Sequence, residues 1–244
     1  MFTVIVMFFS SFTAAFTPAE EKKTDFDQCK NVIFMIGDGM GFNSLEKTKY
    51  EEGIDTLAMN TFPLQGESKT ASANNAVTDS AAGGTALATG VRTNNSMLGV
   101  YPYDGNDLSS HPQNLTEQAM ALGKLAGVIT TDSTSGATPA SFSVHTSDRG
   151  NEEDITFQQL HGDLTVMWGT ATASFTEADA EENGFECIYD KASMDALTEG
   201  TRSFGQFRDA VWHQTGINGM PTIAEMTVKA IEIILDERLR KTSN

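Results

Sequence analysis

The feature that most constrains this chain is the apolar run at residues 31–36 (NVIFMI), closed at once by Gly37, Asp38, Gly39, Met40 and Gly41. A run without polar alternation predicts a strand buried on both faces, as in a parallel sheet. The glycine-rich close predicts a tight loop at the strand's C-terminal end. Two more runs of this kind follow, at residues 126–131 (AGVITT) and 164–168 (LTVMW). Helical stretches separate them: 42–50, with Asn43 or Ser44 as cap, the small-residue segment 80–89, 115–122, a start at Pro139 running to residue 145, and 152–160. A last stretch, 222–235, is amphipathic and opens on TIAE, a capping-box pattern. Alternation of strand and helix predicts an α/β layered fold with a mostly parallel central sheet flanked by helices, its active groups at the C-terminal ends of strands. Residues 62–70 read as a short strand or extended connection, 176–186 as an acidic solvated segment, and 200–220 as polar with no steady period.

Charge narrows the function. With 16 basic and 33 acidic residues the net charge is −17, which argues against nucleic acid as the main partner. An acidic protein that handles phosphate must place its cations locally, as metal ions or a positioned arginine. Residues 1–16 (MFTVIVMFFSSFTAAF) read as an export signal, too short to span a bilayer comfortably, with a folded domain over 27–244. The expected location is secreted, periplasmic or at the cell surface, with membrane association through the N-terminus if the leader is retained. Nothing local brings Cys29 and Cys187 together, and the sequence leaves a disulfide between them undecided. Asn94 and Asn114 fit the glycosylation tripeptide, a pattern that also arises by chance.

Two short segments carry chemistry. Asp38 sits between glycines after a buried strand, where a carboxylate is offered to a hard or borderline cation, although a Gly-Asp-Gly turn is more often only a turn. Ser80, in residues 77–85 (VTDSAAGGT), falls at a helix start, where free N–H groups and the macrodipole favour an alkoxide and phosphate oxygens. A nearby zinc ion would activate such a serine without a histidine base. Taken alone, a serine there is more simply a helix cap.

The wider pattern resembles the alkaline phosphatase family. VTDSAAGGTALATGVRT is similar to the family's nucleophile segment, and NVIFMIGDGMG to its first strand and metal-binding aspartate. The resemblance continues through ITTDSTSGATPASFSVHTSDR. It implies Thr138 as a hydroxyl ligand of magnesium and Arg149 as the phosphate clamp, whose planar fork grips two oxygens. It also implies Ser80 as nucleophile and metal ligand, Asp38 as the carboxylate bridging zinc and magnesium, and a homodimer. One departure is Gly136, where the family carries an acidic residue or histidine tied to the magnesium; the nearby Asp132 is a carboxylate that would substitute if it reached.

The stretch at 222–235 resembles the family helix that precedes the second group of metal ligands, and the chain ends about nine residues after it. The resemblance therefore implies the first half of the family domain, an incomplete fold lacking the glutamate, aspartates and histidines of the second half. Zinc favours imidazole. Of the histidines here, His145 reads as a structural residue on a helix, and His111 and His161 as solvated. Asp209 and His213 have a ligand-like spacing but precede the helix rather than follow it, and read as coincidence.

The resemblance implies metal-dependent hydrolysis of phosphate monoesters through a phosphoserine at Ser80, with Zn2+ and Mg2+. The competing expectation is a catalytically incomplete chain that binds phosphate or metal without turnover. A phosphodiesterase or sulfatase-like enzyme fits less well, because the small residues after Ser80 match alkaline phosphatases.

Overall fold

The structure is a computed structural model that describes residues 31–102, 110–208 and 218–235, together with the backbone of Thr3–Phe8. The chain divides into two compact units, Met1–Thr70 and Ala71–Asn244. Among the described residues no helix is long and apolar enough to cross a membrane.

In the first unit, β1 (Thr3–Phe8) pairs antiparallel with β2 (Val32–Gly37) as a two-stranded sheet. The apolar stretch read as a leader thus supplies the neighbour of β2. Burial on both faces of β2 is not found: Val32 is 59% and Met35 42% exposed. A two-stranded ribbon lacks the covering layers of a parallel sheet. Helix α1 (Phe42–Glu52) follows, capped at Gly41 without a side-chain bond rather than by Asn43 or Ser44, and ending at Gly53. Residues 62–70 form no strand, so the extended connection is the outcome.

The second unit holds a four-stranded, wholly parallel sheet. In chain order its elements are α2 (Ser80–Thr89), α3 (Leu115–Ala121), β3 (Gly127–Ser133), α4 (Ala137–Ala140), α5 (Glu152–His161), β4 (Val166–Thr170), α6 (Glu177–Glu182), β5 (Glu186–Ile188), α7 (Lys191–Ala196), β6 (Ser203–Phe207) and α8 (Ile223–Ile234). The strand order is β3-β4-β6-β5. Side-chain alternation sends Val166, Trp168 and Phe207 to one face, where they pack with Met194, Met226 and Ile233 of α7 and α8. Met167 and Phe204 go to the other, against Leu160, Ala180 and Phe185. This is the expected α/β layering.

Four local expectations are corrected. The helix read from Pro139 to 145 spans only Ala137–Ala140, because the chain must turn extended to pair Thr146 with Leu98 across two 2.9 Å backbone bonds. His145 therefore lies outside any helix. Residues 176–186, expected to be solvated, form α6 with Ala180 and Phe185 in the core and lead into β5. Residues 200–220 contain β6, whose five residues are all buried. Its polar residues hide the strand pattern but are satisfied in place: Ser203 accepts from Trp168 Nε1 at 3.0 Å, and Gly205 leaves room for the Trp168 ring.

Asn114 is 1% exposed and caps α3, accepting from Glu117 N at 3.0 Å, so it offers no acceptor for a glycan. Cys187 is a free thiol pushed up to about 11 by burial and then by Glu177, while Cys29 lies outside the described residues.

Candidate functional site

The site is built around the start of α2. Asp79, not Ser80, is the cap: its Oδ1 accepts from Ala82 N at 2.9 Å and its carbonyl from Gly83 N at 3.0 Å. Ser80 is thus the first helical residue, half-buried, with its hydroxyl free of the capping role that an isolated serine would take. The cap also leaves the N–H groups of Ser80 and Ala81 uncommitted at the positive end of a ten-residue helix, a place that favours anions.

Arg149 is tied to the same cap. Its Nη1 lies 3.4 Å from Asp79 Oδ2, which also accepts from Ser96 N at 2.9 Å, and Arg149 N donates to Ser96 O at 2.8 Å. Three residues far apart in sequence thereby form one closed set of contacts beside Ser80. A pair this long and partly exposed contributes under about 1 kcal/mol to stability, so its role is placement. The Arg149 side chain is 39% exposed, and the donors not turned to Asp79 remain for a ligand.

Helix α4 brings in Thr138. It packs on α2 through small residues: Ala81, Ala137 and Ala140 share one buried cluster, and a Cβ at Gly84 would meet Ser141 Oγ and, at 3.6 Å, the Thr138 Cα. Close approach of the two backbones is what the small-residue run after Ser80 provides. The loop before α4 is pinned by a buried polar layer at the C-terminal edge of the sheet. Gln206 Nε2 donates to Thr134 Oγ1 at 3.1 Å, Gln159 Nε2 to Thr134 O at 2.8 Å, and Ser135 Oγ to Thr172 Oγ1 at 3.0 Å.

Gly136 sits in this loop. A Cβ there would lie 2.5 Å from Asp132 Oδ2, so the Asp132 carboxylate occupies the space that a side chain at 136 would enter. Its other oxygen, Oδ1, accepts from Ser133 N at 2.8 Å. The space of the side chain missing at 136, two positions before Thr138, is thus taken by a carboxylate from the end of β3.

Asp38 lies in the first unit, exposed in the turn that follows β2, where Gly39 adopts φ 66° and Met40 N bonds Gly37 O at 3.3 Å. The structure thus places Arg149 beside Ser80 and Thr138 on the helix that packs against α2, all in the second unit, and Asp38 in an exposed turn of the first. The described histidines are held elsewhere. His145 bonds Gly99 O and Glu117, His111 stacks on His145, and His161 bonds Phe157 O at 2.9 Å. Asp209 and His213 lie outside the described residues. A cavity of about 640 Å³ lined by Tyr189, Lys191, Asp195, Arg208 and Met220 includes none of the site residues.

Thr138 and Asp132 each offer oxygen, the donor type that magnesium takes. The described histidines have partners away from Ser80, so the described residues alone do not compose a zinc site of ordinary composition there. Sequence reasoning missed the cap role of Asp79 and the tether through Ser96; the only local signal was an acidic residue directly before a helix start.

A family model described as alkaline phosphatase matches residues 29–167. The chain is similar to an alkaline phosphatase of Escherichia coli, 28% identical over 273 residues that cover 84% of this chain and 57% of that protein. A cold-active alkaline phosphatase from a psychrophilic Shewanella shares the fold, with a TM-score of 0.66 and 28% identity over 81% of this chain and 51% of that one. A mutant of the alkaline phosphatase from an Antarctic bacterium, solved with Mg bound in its M3 site, gives a TM-score of 0.62 at 29% identity, covering 81% and 58%. The chain spans little more than half the length of these relatives.

Proposed function

The chain belongs to the alkaline phosphatase family, and from that premise we propose that it acts on phosphate monoesters, with Ser80 as the group that attacks phosphorus. The observation that carries this is the Asp79 cap: it satisfies α2, leaves the Ser80 hydroxyl free, and holds Arg149 beside it.

The residues present divide the work. The phosphoryl group lies against the Ser80 and Ala81 N–H groups at the helix start, and Arg149 takes two of its oxygens through the guanidinium fork. Ser80 Oγ forms the new P–O bond as the ester P–O bond breaks in line, the hydroxyl proton leaving with the departing alcohol, and the product is a phosphoserine; water then breaks the Oγ–P bond, releasing inorganic phosphate and returning a proton to Oγ. Thr138 and Asp132 would hold magnesium. When bound, the ion supplies charge neutralisation for the phosphate oxygens.

A second reading is favoured by the absence of a described imidazole near Ser80: the chain on its own binds phosphate, through Arg149 and the helix start, without turnover. One experiment separates the two. The full chain, with Zn2+ and Mg2+ added, is given a chromogenic phosphate monoester beside Ser80→Ala and Arg149→Ala. Ser80-dependent release of phosphate supports hydrolysis. Rates equal to Ser80→Ala, with inorganic phosphate binding lost in Arg149→Ala, support binding without turnover. If neither turnover nor phosphate binding responds to the two substitutions, both readings fail.

Export is also proposed, on the apolar stretch at residues 1–16. N-terminal sequencing of the protein recovered outside the cytoplasm checks it, and an intact Met1 on all of that protein would count against cleavage.

A further inference from the structure

Away from Ser80, three side chains converge: one donor atom each of His111, Glu117 and His145 lies within 4.8 Å of the others, the one such group of its kind among the described residues. The protons at this place do not balance. His145 Nδ1 lies 2.5 Å from Gly99 O, and a carbonyl only accepts, so Nδ1 carries the ring's hydrogen. In the neutral ring the lone pair is then on Nε2, which points at Glu117 Oε1 at 2.8 Å. Glu117 is held ionised from its other side: Oε2 accepts from Asn114 N at 2.8 Å in the α3 capping box. Two lone pairs thus face each other at hydrogen-bond distance, and a positive centre belongs between or beside them.

A second proton on His145 would serve, but the ring is stacked on a further imidazole, His111, with centroids 3.6 Å apart and 27° between planes. His111 adds another nitrogen donor to the same place. A shared cation satisfies all three donors at once. The contact from Nδ1–H to a backbone carbonyl is the outer support that metal-ligating histidines usually have, fixing the tautomer and aiming Nε2. The backbone that carries the ring is fixed as well, because Gln158 bonds both His145 N and His145 O, at 2.9 Å and 3.0 Å.

We propose that His145 Nε2, the Glu117 carboxylate and His111 form a binding site for a borderline divalent cation of the zinc class. Two imidazoles and a carboxylate are the donors such an ion prefers, and three protein ligands leave a position open to water. The cation ties the start of α3 to the Gly99 loop and to the segment that runs on to Arg149. It does not depend on Ser80 acting as a nucleophile.

The test is zinc binding to the full chain by calorimetry, with Zn2+ alone. Ser80→Ala combined with Thr138→Ala removes donors of the phosphate site, and His111→Ala removes one donor of this cluster. His111 is exposed, so its loss leaves the fold intact, which circular dichroism verifies. A zinc ion should bind in the Ser80/Thr138 variant as in the parent and at least about tenfold more weakly in His111→Ala, with His111→Cys restoring affinity. Gly99→Ala should weaken it comparably, since a Cβ there would lie 2.6 Å from His145 Nδ1 and push the ring off its support. Ring-proton resonances of His111 and His145 should shift together on zinc addition. Undiminished affinity in His111→Ala, or ring resonances that ignore zinc, overturns the site.

Discussion

Two strands in this chain lead to aspartates that bear on the chemistry, β2 to Asp38 and β3 to Asp132, in different surroundings. β2 has one antiparallel neighbour and leaves Val32 and Met35 exposed. β3 is the edge of a four-stranded parallel sheet whose inner strands are buried and whose faces are covered by helices on both sides. Both strands are apolar and close in glycine-rich or small-residue turns. The aspartate after β2 sits in an exposed turn, whereas β3, which carries Asp132 at its end, runs into a loop that Gln159, Gln206 and Thr172 fix on the way to Thr138. Apolar sequence tells where a strand wants cover; the neighbours decide whether the residue after it is held.

The comparison is tested most severely in the covered sheet. Phe204 is fully buried on β6, stacked on Phe175 at 5.2 Å and edge-on to Phe185 at 5.5 Å. Phe204→Ala should cost about 3–5 kcal/mol, read as a lower urea midpoint. A loss under about 1 kcal/mol would show that the sheet is not the rigid base of the site.

Two glycines sharpen it next. Gly84→Val drives a side chain into Ser141 and the Thr138 backbone and should cost about 1–3 kcal/mol by overpacking, while shifting α4. Gly39→Ala meets no atom within 4 Å and is opposed only by its φ of 66°, so about 1–2 kcal/mol is expected. Thermal melts give both values. Magnesium affinity should fall in Gly84→Val, because Thr138 moves with α4; an unchanged affinity would detach Thr138 from the metal.

The cover can also be loosened from outside. Helix α8 packs Met226 and Ile233 on the sheet and begins with a capping box in which Thr222 Oγ1 accepts from Glu225 N at 3.2 Å and Glu225 Oε2 from Thr222 N at 2.8 Å. Thr222→Ala should cost about 1 kcal/mol. The Thr222 N–H bond holds the Glu225 carboxyl below its ordinary 4.5, against a smaller effect of burial, with Lys191 lowering it further and Asp195 raising it. A lowered folded value stabilises the protein above the unfolded one, so the Glu225 contribution is complete at neutral pH and is lost as pH falls below 4.5 through the lower folded value. Thr222→Ala keeps the backbone N–H that lowers Glu225, so most of its gap to the parent should persist through that acid range, whereas the gap between parent and Glu225→Gln should close over it and stay constant above it.

What was legible in the sequence follows the same division. Ser80 at a helix start, the capping box at Thr222 and the apolar strands β3 and β4 are local patterns, set by residues a few positions apart. β6 was not, since Ser203, Gly205 and Gln206 read as polar until Trp168, Thr134 and Thr172 come to meet them from other elements. The same holds in the site. The Asp79–Arg149 contact spans 70 positions and the Glu117–His145 contact 28, and neither side chain announces its partner. Asp132 was visible as a nearby carboxylate, but its reach into the space at Gly136 depends on how the loop after β3 folds back.

The smallest effect is expected in β2. Val32 is 59% exposed at the start of a strand with one neighbour, so Val32→Ala removes little buried surface and should change stability by under about 0.5 kcal/mol. In a strand covered on both faces the same truncation costs several times more, as Val166→Ala in β4 should, at about 1.5–3 kcal/mol. Paired urea titrations of the two variants measure the difference directly. Equal losses would mean that β2 is covered as fully as β4 and that its apolar run has found the two-sided burial its sequence predicts.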